Sequence, residues 1–379
     1  MNILIVCDVL GKKNNGTTMA SYNLINAMKN KGHNVKVVCC DPDKKEEDGF
    51  IIVDQMNFGI FNKIVERNGV TIPKASRKEL LAAILGCDLV HVMLPFPMGI
   101  KACKIAKRLG KPVTAGFHCQ AELVTSHFGL MNNRRANRSV YRFFHHAIYQ
   151  YCDGIHYPTQ FICDAFEDIV GKTKSYIISN GVNKDVKSKE AQKPEELKDK
   201  FIILTTGRLC KEKSHDVLLK AIAKSKYNDK IQLIIAGQGP LLNKIEKYAN
   251  RHLKNKPIIK YFTREEMINL LNYADLYCHP AEVELEGIAC LEAVVCGLVP
   301  IVSDSDRSAT GNFALSERNI FKNRNYHELA EKIDFFIENP DEKAKLKQNY
   351  LKFGVRFDQD ECMDRMEKMF IEVLQNKIK

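Results

Sequence analysis

FIILTTGRLCKEKSHDVLLKAIAKS (residues 201–225) passes from an unbroken apolar run through a polar turn into a segment whose apolar residues recur at helical spacing. An apolar run of this length, closed by Gly207, reads as a strand buried on both faces, and the patterned segment as the helix that covers it. Downstream the alternation repeats: IQLIIAG (231–237), LLNKIEKYANRH (241–252), PIIKYF (257–262), EEMINLLNYA (265–274), LYCHP (276–280), IACLEAVVCG (288–297) and VPIVSD (299–304). Upstream lies an earlier series: NILIVCD (2–8), the helix TTMASYNLINAMKNKG (17–32) ended by Gly32, NVKVVCC (34–40), DLVHVML (88–94), PVTAGF (112–117) and GIHYPT (154–159). Strands separated by helices argue for parallel sheets covered on both faces, and two series argue for two doubly wound domains. A length of 379 residues agrees, because one ordinary core stops growing well before it.

The expected division is 1–178 for the first domain and 179–356 for the second. NKDVKSKEAQKPEELKDK (183–200), polar and highly charged, reads as a linker or solvated loop. The tail 357–379 has an amphipathic helical pattern with Met363, Met366, Met369, Phe370 and Val373 on one face.

Hydrophobic residues make up 45% of the chain, enough to bury real cores, yet no apolar run approaches the ~20 residues that span a bilayer. MNILIVCDVL has neither a basic leader nor a small-residue cleavage site and reads as a first strand rather than a signal peptide. The 13 cysteines are odd in number and scattered, without a C-x-x-C pair, so reduced, buried thiols in a cytosolic protein are expected and a zinc site is not. The net charge of +11 is uneven. Residues 1–178 hold 23 Lys and Arg against 15 Asp and Glu, while residues 179–379 hold 34 against 31. A basic excess in the first half fits solubility, nucleic acid, an anionic membrane surface or an anionic substrate. No nucleic-acid recognition motif supports the second of these.

In open parallel sheets, ligands bind beyond the carboxyl ends of the strands. After strand 201–206, Arg208 stands at the exit and Lys213 follows just before the helix that Ser214 or His215 opens; a guanidinium fork and a point charge suit a diphosphate. Two surface cations would look the same. GQGP (237–240) permits a tight turn and close backbone approach but is neither a dinucleotide fingerprint nor a P-loop. HPAEVELEGIACLEAVVCG (279–297) sets Glu284 and Glu292 eight positions apart, with no lysine or arginine in the stretch. The pair therefore reads as uncancelled carboxylates bordering neutral sugar hydroxyls, or else as helix-start acids stabilised by the dipole. Gly287 and Ile288 open the helix, whose early N–H groups can receive an anion. In the first half, Gly16, Thr17 and Thr18 stand at a helix start in LGKKNNGTT (10–18), where an ordinary cap by Thr17 or Thr18 is the simplest reading and a phosphate or sugar the other, and His118 follows strand 112–117 as a core or rim residue or a site residue.

Together these pieces resemble glycosyltransferase family 4, retaining enzymes of the GT-B fold. The resemblance covers nearly the whole chain and rests on E-x7-E (Glu284 to Glu292), GRLCKEK (207–213), AGQGP (236–240), SNGVN (179–183) and GHNVKVV (32–38). It implies an α/β fold of two Rossmann-like domains facing a cleft, with the tail helix crossing back to the first. By the same resemblance Glu292 holds the nucleotide ribose, Glu284 contacts the transferred sugar, Arg208 and Lys213 grip the diphosphate, and His118 lies beside the sugar. No enzyme-bound glycosyl intermediate and no metal cofactor are expected. The family's Glu-Gly-Phe-Gly is here Glu284-Leu285-Glu286-Gly287, which makes Glu286 a competitor for the sugar role.

These departures, with SDSDRSATGNFAL (303–315), resemble the branch that glucosylates diacylglycerol in bacterial membranes. The implied donor is UDP-glucose, and the implied acceptor diacylglycerol or a glycosyl-diacylglycerol. MNNRRANRSVYRFFHHAIYQYC (131–152) fits that reading: Arg134, Arg135, Arg138 and Arg142 occur with no acid and are interleaved with aromatics. It reads as an interfacial helix for an anionic bilayer, placing the protein peripherally on the inner face of the cell membrane, or as a basic helix packing its aromatics inward. A soluble or saccharide acceptor, and a nucleic-acid-binding protein using the same arginines, remain the alternatives.

Overall fold

The computed structural model describes residues 1–8, 10, 16–55 and 73–378. The stretch 11–15 of the Gly16 loop lies outside the described residues. The chain divides into two compact units, Met1–Asn180 together with Cys362–Lys379, and Gly181–Glu361.

The first unit is built on a parallel sheet of β1 (Asn2–Val6), β2 (Asn34–Cys39), β3 (Phe50–Ile52), β4 (Leu89–Val92), β5 (Val113–Gly116), β6 (Gly154–Tyr157) and β7 (Ser175–Ile177), in the order β3-β2-β1-β4-β5-β6-β7. Its helices are α1 (Gly16–Asn30), α2 (Arg77–Leu85), α3 (Pro97–Arg108), α4 (Ala121–Ser126), α5 (Arg134–Ala147) and α6 (Gln160–Val170). Ile3, Leu4, Ile5 and Val6 are all buried, as a central strand covered on both faces requires.

The second unit repeats the plan. Strands β8 (Phe201–Thr206), β9 (Ile231–Ala236), β10 (Ile258–Lys260), β11 (Leu276–His279), β12 (Pro300–Ser303) and β13 (Ile320–Phe321) form a parallel sheet in the order β10-β9-β8-β11-β12-β13. Between them run α7 (His215–Lys224), α8 (Leu242–His252), α9 (Arg264–Tyr273), α10 (Ile288–Val295), α11 (Tyr326–Glu338) and α12 (Pro340–Gly354). The order reverses between β8 and β11, so the loops leaving these neighbours diverge to opposite faces and open a crevice, the usual ligand position in such sheets.

The last helix, α13 (Gln359–Ile378), buries Met363, Met366, Met369, Phe370 and Val373, the stripe its sequence pattern marks. The helix packs closely over β6: a Cβ on Gly154 would lie 3.0 Å from Val373 Cγ2 and 3.1 Å from both Met369 Cε and Tyr176 Cε2. Residues 183–200 are no free linker. Val186 and Leu197 are buried in the second unit's core, the Lys189 N–H donates to Asn272 Oδ1 (2.8 Å), and Lys193 pairs with Asp275 (2.5 Å). Two apolar residues amid the charges, with these polar contacts, hold the segment against the second unit. All 13 cysteines are buried and unbridged.

Candidate active site

β8 and β11 bring residues far apart in sequence to one place. Beyond β8, Gly207 has φ +136°, a conformation that favours glycine, and Arg208 emerges exposed. A short 3-10 turn (Lys211–Lys213) then hands over to α7 through Ser214, itself left-handed at φ 51°. The glycines of GQGP allow a close approach, but to this neighbouring loop: a Cβ on Gly237 would lie 2.0 Å from the Gly207 carbonyl oxygen, and one on Gly239 2.5 Å from the Leu209 backbone. Leu209 N–H donates to Gln238 O, locking the two loops together.

Beyond β11, the loop carrying Glu284 is fixed from both sides. Glu282 N–H donates to Glu212 O (2.8 Å), next door to Lys213. Glu284 N–H donates to Arg307 O and its own carbonyl accepts from Ala309 N–H, a parallel bridge to Ser308. The Glu282 carboxylate, buried, receives Arg307 and Arg324. Gly287 then starts α10 with φ +84°, and a Cβ there would sit 2.5 Å from Thr310 Cγ2, so only glycine fits. Ile288 begins the helix proper; its N–H and that of Ala289 precede the first turn's bonds, which run from Cys290 and Leu291 to Gly287 O.

The two glutamates are not uncancelled, which corrects the reading from sequence. Lys213 Nζ bonds Glu284 Oε2, and His279 Nε2 lies 3.0 Å from the same oxygen. Arg264 Nη1 lies 2.7 Å from Glu292 Oε1. The missing cations come from other strands and helices, 71 and 28 positions away in the chain. Each carboxylate so uses one oxygen within the protein, and among the described residues nothing bonds the other. Glu286, the competitor for the sugar role, is buried at 3%, whereas the Glu284 side chain keeps 16% exposure at the rim.

Electrostatics separates the pair. Burial pushes the Glu284 carboxyl up, but the Lys213 charge and the His279 hydrogen bond outweigh it and hold the pKa at about 2. Glu292 is raised by burial, and Arg264 offsets that only in part. His279 is held neutral by burial, since its pKa falls below the usual histidine value despite Glu284. An ionised carboxylate only accepts, so Nε2 of His279 donates and Nδ1 must accept from Tyr277 Oη (3.2 Å); Tyr277 Oη in turn accepts from Thr206 Oγ1 (2.7 Å). This relay, unread in the sequence, fixes the Glu284 side chain from below.

The first unit brings Thr17 and His118 together: Thr17 Oγ1 lies 3.4 Å from His118 O, with Gly16 exposed one residue before it. The His118 ring, 8% exposed, packs against Gly116 and stands edge-on to His156 at 5.4 Å. Burial, then the neighbouring His156 and His91, keep it well below the usual histidine pKa. Asp8, at the end of β1, accepts from Met98 N–H (2.9 Å) and Gly99 N–H (3.1 Å) at the start of α3, and burial lifts its carboxyl to about 7. Nothing in the sequence singled it out.

On α5, capped by Asn133, the four arginines 134, 135, 138 and 142 are all exposed. The aromatics split. Tyr141 and Phe144 are buried, with Tyr141 Oη donating to Glu122 (2.8 Å), whereas Phe143 is 57% exposed. Phe128 (75%) and Leu130 (44%) are exposed on the loop just before it. No helix among the described residues is long and apolar enough to cross a membrane.

Two parallel-sheet Rossmann-like units, the second with a cation and carboxylate cluster at its switch point, define the GT-B glycosyltransferase architecture. Residues 14–186 match the family described as Glycosyltransferase Family 4, and residues 186–353 that described as Glycosyl transferases group 1. The two matches adjoin and together span residues 14–353, and the chain belongs to glycosyltransferase family 4. The alpha-monoglucosyldiacylglycerol synthase of Streptococcus pneumoniae is 25% identical over 231 residues, 57% of this chain and about half (51%) of the synthase. Among solved structures, HepE of Anabaena in complex with UDP-glucose superposes with a TM-score of 0.77 at 15% identity, covering 98% of this chain and 100% of that one. WaaG, a glycosyltransferase involved in lipopolysaccharide biosynthesis, superposes at 0.71 and 15% identity, covering 97% and 99%.

Proposed function

We propose that the protein transfers glucose from UDP-glucose, with retention of anomeric configuration, to a lipid hydroxyl such as that of diacylglycerol or a glycosyl-diacylglycerol at an anionic membrane surface. Arg208 and Lys213 take the diphosphate, and the N–H groups at Gly287 and Ile288 assist as its negative charge develops. Glu292 accepts from the ribose and Glu284 from the transferred sugar. Thr17 and Gly16 border the donor, and His118 borders the sugar. In this reading the cations supply the charge that a metal would otherwise bring.

The observation that carries the lipid acceptor is α5 with its preceding loop: four exposed arginines beside exposed Phe128, Leu130 and Phe143, on a helix whose other face is seated by Tyr141 and Phe144. Cations with apolar residues at one surface suit an anionic bilayer. The similarity to a diacylglycerol-lipid synthase supports the same acceptor, and HepE's complex supports the donor.

The test is UDP release from UDP-glucose, with and without diacylglycerol in vesicles containing phosphatidylglycerol, and the anomeric configuration of the product by NMR. Release that depends on lipid, with an α-glycolipid formed, is expected. Release without lipid moves the acceptor to a soluble molecule, and a β-product overturns retention.

A further inference from the structure

Arg264 is out of place by ordinary helix electrostatics. It is the first residue of α9, behind the Thr263–Glu266 capping box, where the helix dipole disfavours a cation. Two carboxylates from other elements hold it there. Asp185, on the segment after the chain enters the second unit, takes Nε and Nη2 at 3.1 and 2.8 Å in a bidentate grip. The remaining Nη1 goes to Glu292 Oε1. An exposed arginine–aspartate pair adds little stability, so its effect lies in what the fixed guanidinium does to its third partner.

We propose that Arg264, clamped by Asp185, is the positioning residue for Glu292: it occupies one carboxylate oxygen and keeps the other ionised and turned out to accept from the ribose diol of a nucleoside diphosphate. The proposal rests on reading Glu292 as the ribose acceptor. Glu292 sits on α10 with its side chain only 19% exposed, an environment that favours the neutral acid. A protonated carboxyl would present a donor and lose acceptor capacity at the diol. The other titratable groups that face it are Asp185, which opposes its charge, and Tyr277 of β11 and Cys296 at the end of α10, both held neutral by burial. Arg264 is the cation bonded to it.

The readout is the ratio of affinities for UDP and 2′,3′-dideoxy-UDP, by calorimetry on the full chain at pH 6.0, 7.0 and 8.5. In the wild type the diol adds about tenfold at every pH, as a hydrogen bond to a charged group does. Glu292→Gln loses that advantage at every pH. Arg264→Gln loses it at pH 6.0 and regains part of it by pH 8.5 as Glu292 ionises, while Arg264→Lys keeps most of it; circular dichroism confirms folding. If Glu292→Gln is lower but Arg264→Gln keeps the wild-type ratio at all three pH values, or loses it equally at all three, the positioning role falls alone. If Glu292→Gln keeps the wild-type ratio, the ribose reading itself falls, and this inference with it.

Discussion

The strand exits of the two units solve opposite problems. In the second unit they hold charge. Lys213 meets Glu284 and Arg264 meets Glu292 in partly buried pairs, each leaving one carboxylate oxygen without a partner among the described residues. In the first unit they hold groups without a cation partner among the described residues: His118, beyond β5, is buried edge-on to His156 within β6 and close to His91 within β4, and Asp8, beyond β1, is tied to backbone N–H groups. Charge placed in advance suits a ligand that carries charge, and an uncharged, desolvated surface suits one that does not. One scaffold thus carries two chemistries because its strand ends differ, not its sheets.

The comparison breaks first at Lys213. Lys213→Ala should lower sugar transfer by about 10²–10³-fold, the usual loss when one preorganised stabilising group is removed, and Lys213→Arg should recover part of it. A steady-state assay with UDP-glucose checks this; near wild-type turnover would mean that the pair with Glu284 is structural.

The two glutamates sharpen it next. Glu292→Ala should weaken UDP binding by about tenfold, whereas Glu284→Ala should leave UDP affinity nearly unchanged, because its removal frees Lys213. Calorimetry with UDP decides, and equal affinities in both variants and the wild type would refute the ribose assignment.

Acid separates the units more gently. Burial lowers His91 to about 3 and His156 to about 4 in the folded chain. Their stabilisation is complete above the unfolded value near 6.5 and is lost as pH falls toward the folded values, about 1–2 kcal/mol per histidine by pH 5. Glu284, depressed to about 2, contributes above its unfolded value near 4.5 and gives way only below it. His215, also buried and lowered to about 4, adds acid sensitivity to the second unit, so the wild-type thermal midpoint should drop from pH 7 to pH 5 and His91→Gln should reduce that drop. An unchanged wild-type midpoint would refute it. The smallest expected effect is none: transfer should persist in EDTA, and its loss, restored by Mg²⁺ or Mn²⁺, would show that Arg208 and Lys213 do not suffice.

The central strands were legible because an apolar run between glycines and helical patterns has few other readings; NILIVCD, FIILTTG and IQLIIAG each contain the strand found. Three of the four edge strands were not: β3, β7 and β13 have only two or three residues each, too few to show a period, whereas the edge strand β10 falls within PIIKYF. The spacing of Glu284 and Glu292 was legible too, but their partners were not, since β8 lies beside β11 only once the sheet is ordered. Absence of lysine and arginine from 279–297 says nothing of neighbours in space. Arg264 had one sequence signal, a cation opening a helix against its dipole, and Asp8 had none.

The buried cysteines make the folded chain its own clock. Nine belong to the first unit and four, Cys210, Cys278, Cys290 and Cys296, to the second. A thiol-alkylating reagent therefore reaches them only when the backbone around them opens. Peptide-resolved alkylation rates would report how often each unit breathes, separately and without an added label, and would show which one quietens when UDP is supplied.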